Sequence, residues 1–171
     1  YIVYHNLLLK DYHDFDGGFR SICVDKIDVD EKNVKIKMTQ MTRKGVDQIR
    51  PLNPFQIQQT ETVAGTLNAT FAETETVGNT VLDVTGANQT VMVRGAKFSK
   101  SPKQIVCKVK GHGSFKVCIG TPDSQPVAKV SVNSNDWKNV KASIKGKVRG
   151  QQNVYFISEN GNYQFDEWKF E

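Results

Sequence analysis

The run Gly161-Asn162-Tyr163-Gln164-Phe165-Asp166-Glu167-Trp168-Lys169-Phe170 constrains the fold more than any other stretch of this chain. Rings recur at Tyr163, Phe165, Trp168 and Phe170, with a single aspartate, Asp166, set among them. A strand that dense in aromatics demands a packed face. A carboxylate held among rings demands a partner, and a bound cation is one candidate.

Strand signals dominate the remainder. Segments 1–4, 19–24, 34–38, 81–84, 91–93, 104–109, 115–119, 128–132, 140–144, 154–157 and 163–170 read as short strands. Turn chemistry separates them at Asp16-Gly17-Gly18, Gly111-His112-Gly113, Thr121-Pro122-Asp123, Asn133-Ser134-Asn135-Asp136 and Asn160-Gly161-Asn162. No window has the periodicity of an amphipathic helix. The predicted class is all-β, a sandwich or barrel.

Bulk properties narrow the functions. Net charge is +5, but the positive residues are scattered. The one basic stretch interleaves Lys138, Lys141, Lys145, Lys147 and Arg149 with apolar residues, which reads as a solvated strand face. Nucleic-acid binding would need a basic patch with a recognisable motif and interleaved aromatics. No apolar run reaches the roughly 18 residues of a membrane span. Three cysteines cannot all pair. A hairpin centred on Gly111-His112-Gly113 would set Cys107 roughly opposite Cys118, as a cross-strand disulfide or as two buried thiols. Cys23 reads as core, and no Cys/His spacing matches zinc.

A domain boundary is expected near Pro51-Leu52-Asn53-Pro54, because two prolines in four residues interrupt any strand. Residues 1–53 hold too few strands to bury a core alone, so the chain reads as part of something longer. Residues 54–171 are enough for a sandwich domain. The acids Asp14, Asp16, Asp25, Asp28 and Asp30 read as surface turn aspartates. His13 and His112 read as surface residues in polar turns. Asn68-Ala69-Thr70 and Asn88-Gln89-Thr90 match the glycosylation sequon, a pattern frequent by chance.

Four motifs in order over residues 54–171 resemble a carbohydrate-binding module of family 6. They are Gln59-Thr60-Glu61-Thr62 after Asn53-Pro54-Phe55, then Val93-Arg94-Gly95-Ala96-Lys97-Phe98, Asn135-Asp136-Trp137 and Tyr163 to Phe170. The resemblance implies a jelly-roll sandwich with a structural calcium held by Gln59, Glu61 and Asp166. Glu61 and Asp166 are hard oxygen donors, which a sandwich with adjacent first and last strands would bring together. Gln59 stands where the family has a carboxylate, which removes one charge. The resemblance also implies a sugar cleft of two rings and an asparagine. Trp137 matches one ring, in a polar loop; the alternative is a Trp packed under that loop. The second ring falls near Thr90, where there is none, and the asparagine falls at Gln164. Glu73 and Glu75 lie near a polar cleft position.

Residues 1–53 resemble the end of a glycoside hydrolase family 43 catalytic domain, on Tyr1-Ile2-Val3-Tyr4-His5-Asn6, Gly18 to Lys26 and Thr42-Arg43-Lys44-Gly45-Val46. The resemblance implies the last blade of a five-bladed β-propeller, with His5 near the central channel as an ion ligand. The alternative for His5 is a satisfied core histidine. The implied parent is a secreted or periplasmic bacterial enzyme that hydrolyses arabinose- and xylose-containing plant polysaccharides with inversion. Its paired carboxylates lie in earlier blades, so no catalytic residue is assigned here. Three functions follow: a module binding plant cell-wall polysaccharide beside the catalytic propeller, a sandwich that only buttresses the propeller, or an enzyme in its own right. The absent carboxylate pair disfavours the third.

Overall fold

The computed structural model describes residues 1–171 apart from 8–9, 12–13, 15, 19, 39, 43–45 and 47–49. The chain forms two compact units, residues 1–49 and 50–171. In the first, β1 (Ile2–Asn6) pairs antiparallel with β2 (Ser21–Asp25), and β3 (Val29–Asp30) with β4 (Lys35–Ile36). Two such ladders cover little: Ile22 is 82% and Met38 97% exposed. His13, Phe19 and Arg43-Lys44-Gly45 lie outside the described residues.

One aspartate of this unit departs from the surface reading. Asp25 is buried at the end of β2. Its Oδ2 accepts the Tyr4 hydroxyl at 2.6 Å and the Thr42 amide at 3.0 Å, while Oδ1 accepts the Thr42 hydroxyl at 2.5 Å. Three donors replace the water the carboxylate gives up, which is why it tolerates burial. The Thr42 and Tyr4 hydrogen bonds hold its carboxyl below the usual range. The same bond pushes the Tyr4 phenol up to about 12. Asp30 closes β3 and caps the turn that follows, accepting the Asn33 amide at 3.1 Å.

The second unit is built from β5 (Gln58–Gln59), β6 (Gly65–Leu67), β7 (Thr70–Glu73), β8 (Thr80–Val84), β9 (Thr90–Phe98), β10 (Gln104–Ile119), β11 (Ala128–Ser143) and β12 (Gly150–Phe170). Hydrogen bonding follows the order β11-β10-β12-β8-β7, with β5 and β9 also on β12 and β6 on β9. The proline-bounded segment is tied in: Leu52 bridges to Ala96, and the Pro54 carbonyl accepts the Phe170 amide at 2.8 Å.

Three expected turns are not turns. Gly111-His112-Gly113, Asn133 to Asp136 and Asn160-Gly161-Asn162 lie inside β10, β11 and β12. His112 faces Asn133 on one side and Asn162 on the other, and Gly113 faces Gly161. The residues that would break an isolated strand therefore share one level of the sheet. The strands stay paired while they change direction. The evidence for the bend is in the rings. A straight strand would hold Phe156 about 30 Å from Phe165, yet their centroids are 5.2 Å apart. Phe156 is likewise 5.2 Å from Trp168. So β12 folds over the core, and the long strands close the two layers of a sandwich.

The bend also corrects the cysteine expectation. Cys107 and Cys118 lie toward opposite ends of one strand, facing Trp168 and Tyr155. They are free, buried thiols rather than hairpin partners. Burial pushes the Cys107 thiol far above its ordinary value.

All four rings of the terminal run are buried. Their spacing breaks strict alternation between Phe165 and Trp168, and a bulge makes this possible. Lys108 faces Glu167 and Val109 faces Phe165, so Asp166 is the extra residue.

Two outcomes are expected. Gly161 has φ of 94°, and a Cβ there would run into the His112 carbonyl and Gly113 Cα. Gly161→Ala should cost about 3 kcal/mol in urea unfolding. Gly146→Ala, at φ 81° with open space around it, should cost only about 1 kcal/mol. Equal costs would show that the crossing is not tight. In the first unit, the raised Tyr4 phenol stabilises below the ordinary tyrosine value, and that contribution is lost as pH rises through about 12. The lowered Asp25 carboxyl stabilises above the ordinary aspartate value, and that contribution is lost as pH falls through its depressed value. Ultraviolet titration should find two late phenols: that of Tyr4, near pH 12, moves earlier in Asp25→Asn, while that of Tyr163, raised by burial, stays in place.

Candidate functional site

The candidate surface starts from one register row. Gln164 of β12 faces Lys110 of β10 on one side and Asp83 of β8 on the other. Their chain neighbours Val109, Phe165, Leu82 and Val84 are buried in the core. Alternation therefore sends Lys110, Gln164 and Asp83 to the opposite face. All three are half-buried, and Gln164 Nε2 donates to Asp83 Oδ1 at 3.4 Å.

Trp137 flanks this row. Val109 faces Lys138 and Gly111 faces Ser134, so Asn135, Asp136 and Trp137 all stand opposite Lys110. That is a wide bulge in β11, not the polar loop expected, and it keeps Trp137 half-buried rather than packed in the core. Lys108 Nζ lies over the indole, 5.8 Å from the ring centroid. Within β10, Lys108 and Lys110 alternate onto the same face. His112 stands beside the bulge, with Nδ1 and Nε2 each 2.9 Å from the side-chain oxygens of Asn133 and Asn135. It is exposed, as read from the sequence.

The 85–89 loop between β8 and β9 passes residues 158–162, because Val84 faces Tyr163 and Thr90 faces Ile157. It is held firmly. The Ser158 hydroxyl donates to the Gly86 carbonyl at 2.7 Å and accepts the Gln89 amide at 2.9 Å. The Ser158 carbonyl accepts the Asn88 amide at 2.9 Å. Gln89 Oε1 accepts the Thr85 amide and its Nε2 donates to the Asn68 carbonyl, both at 2.9 Å. The loop carries no ring.

The register sets Trp137 and Gln164 on opposite sides of Lys110, with Thr90 and Glu75 outside that row. Thr90 sits between Leu67 and Ile157. Glu75 is exposed beyond the end of β7, past the Glu73–Thr80 pair and about 10 Å or more along the strand direction from Asp83. The sequence reading missed Lys108, Lys110 and Asp83. The polar alternation Lys108-Val109-Lys110 was the available signal for the lysines. Together the row offers an ammonium, an amide and a carboxylate beside an aromatic ring. That set donates and accepts hydrogen bonds at once, which suits a ligand with many hydroxyls. The row carries one carboxylate, Asp83, where two-carboxylate glycoside hydrolysis needs a pair.

A second cluster lies where β5 meets β12. Gln59 faces Glu167, and the Asp166 carbonyl accepts both the Thr60 amide and the Thr60 hydroxyl at 2.7 Å. First and last strands of the sandwich unit are therefore neighbours. Gln59 Oε1, Glu61 Oε2 and Asp166 Oδ1 are buried with no hydrogen-bond partner. The indole N–H of Trp168 is a fourth such atom, but as a donor it offers nothing to a cation. Three orphaned acceptor oxygens are costly unless something positive meets them. Asp166 is 1% exposed, and its other oxygen, Oδ2, is 2.7 Å from Lys108 Nζ. The set fits an oxygen-seeking cation such as calcium, with a charge reduced by Gln59 and by Lys108.

His5 is exposed on β1, facing Ile22, and Arg20 NH1 lies 3.3 Å from its Nε2. No cluster of three or more His, Cys, Asp or Glu side chains suits a metal among the described residues.

Known folds share this architecture. Part of a family 43 arabinoxylan arabinofuranohydrolase from Bacillus subtilis, in complex with cellotetraose, superposes with a TM-score of 0.83 at 23% identity. The match covers 98% of this chain, which spans 37% of that enzyme. The family 6 carbohydrate-binding module CsCBM6-3 from Clostridium stercorarium, in complex with cellobiose, matches 72% of this chain and 98% of its own at 14% identity and TM-score 0.65. A β-1,3-glucan-binding family 6 module from Bacillus halodurans matches 71% of this chain and 99% of its own at 16% identity, with the same score. No family model and no curated protein sequence matches the chain. At these identities the likeness establishes the fold. The chain is all-β, and its fold is that of part of a family 43 hydrolase, with residues 50–171 folded like the family 6 binding modules.

Proposed function

We propose that this chain is the carbohydrate-binding portion of a glycoside hydrolase acting on arabinose- and xylose-containing plant polysaccharides. The observation that carries this reading is Trp137 held half-buried on the face that bears Lys110, Gln164 and Asp83. An indole offers an apolar platform to the C–H face of a sugar, and the three polar groups read its hydroxyls. Support comes from solved structures of like fold in complex with cellotetraose, cellobiose and xylose. The module would keep a polymer near the catalytic propeller of its parent, raising effective concentration without doing chemistry itself. The paired carboxylates would belong to that propeller, and such an enzyme would act outside the cytoplasm, secreted or periplasmic.

A second reading is that the sandwich only buttresses the propeller. The ringless 85–89 loop and Thr90 favour it, since they leave Trp137 without a facing aromatic. Titration with arabinoxylan and xylo-oligosaccharides, followed by tryptophan fluorescence, separates the two. Saturable binding is expected, weakened about tenfold or more in Trp137→Ala. A folded chain that binds no oligosaccharide leaves the buttress.

We also propose that Gln59, Glu61 and Asp166 hold a structural calcium, supported by their three orphaned oxygens. Calcium in excess over a chelator should raise the unfolding midpoint of the sandwich by about 5 °C, and Glu61→Gln should remove most of that rise. An unchanged midpoint would mean that these oxygens take no metal.

A further inference from the structure

We propose that Lys108 is a positioning residue for the sugar platform: the buried carboxylate of Asp166 fixes its ammonium, and the ammonium fixes the indole of Trp137. The proposal rests on the reading of Trp137 as that platform. Lysine is ordinarily a mobile, solvated cation on a four-carbon stem. Here three contacts hold it. Its Nζ lies 2.7 Å from Asp166 Oδ2, 3.5 Å from Glu167 Oε1, and 5.8 Å from the centroid of the Trp137 ring.

The anchor is buried and bonded, and the ring stands on a bulge. Asp166 is almost fully buried, and its own carbonyl is gripped by both the amide and the hydroxyl of Thr60. Trp137 rides a stretch of three residues with no register partner on β10. A side chain on such a bulge needs a contact outside the ladder to hold one orientation. Lys108 reaches across to give it, and an ammonium over an aromatic face is attracted by the ring quadrupole. An indole has two faces, and with the ammonium on one a sugar stacks on the other. Lys110 supplies the contrast. It shares the face of Lys108 but forms no ion pair among the described residues, so it remains available to a ligand. The two lysines divide the work: one orients the ring, the other meets the sugar.

The test uses the full chain labelled with 5-fluorotryptophan. Two tryptophans give two fluorine resonances, Trp168 in the core and Trp137 at the surface. Lys108→Met should weaken xylo-oligosaccharide binding about two- to fivefold. It should also shift and broaden the Trp137 resonance while leaving that of Trp168 in place. Lys108→Arg should restore both. Because Lys108→Met strands a buried carboxylate, Lys108→Met/Asp166→Asn is measured beside it with calcium in excess and should show the same Trp137 change. Wild-type affinity with an unmoved Trp137 resonance in both variants would overturn the proposal. So would tighter binding in Lys108→Met, which would mean that the ammonium competes with the sugar for the ring. Unchanged binding by Trp137→Ala would instead remove the platform reading, while the fluorine spectra would still report whether Lys108 orients the ring.

Discussion

Three long strands turn together through one band of the sheet without letting go of one another. Everything else in the sandwich depends on that crossing. Gly111, Gly113 and Gly161 all have positive φ, and their backbones approach too closely for any side chain. Because Gly113 faces Gly161, the two positions without side chains coincide. The hydrogen-bonded ladder can then bend as a unit. The bend brings Phe156 onto Phe165 and Trp168, which is what gives the aromatic strand a core to bury into. It also sets the bulge that carries Trp137 immediately beside the crossing.

Asp166 is the second junction. As the extra residue of a bulge, it lets both pairs of rings, before and after it, reach the core. Its carbonyl fixes the strand that enters the sandwich, through Thr60. One carboxylate oxygen takes Lys108, and the other is left among the orphaned oxygens of Gln59 and Glu61. Packing, the proposed cation site and the proposed aromatic platform therefore meet at one side chain. The acid among rings that stood out in the sequence is best understood as this shared anchor.

Much of the fold was legible because strands leave local marks. Alternation and β-branched residues located most segments of β8 to β12. What was misread had one cause. Gly-His-Gly, Asn-Ser-Asn-Asp and Asn-Gly-Asn are turn signals in an isolated strand, but here each is compensated by a similar segment on its neighbour. Local reasoning sees three breaks; pairing makes them one bend. The hairpin that would set Cys107 opposite Cys118 failed for the same reason, while their reading as two buried thiols holds. Asp25 was misread because its partners, Tyr4 and Thr42, are distant in sequence. Within the candidate site, Trp137 and Gln164 were found by motif, while Lys110 and Asp83 were not. Their membership follows from register, which depends on which strands pair.

The sequence by itself determined the all-β class, the aromatic strand that must be buried, and the acid Asp166 that needs a partner among its rings. These follow from side-chain chemistry, which a residue carries wherever it is placed. Only the tertiary structure decided that Trp137 stands on a bulge, that Lys108 serves Asp166 and the indole together, and that Lys110, Gln164 and Asp83 form one row. These are matters of register and bend. Both are set by contacts between residues far apart in the chain, and no local pattern encodes a partner's position.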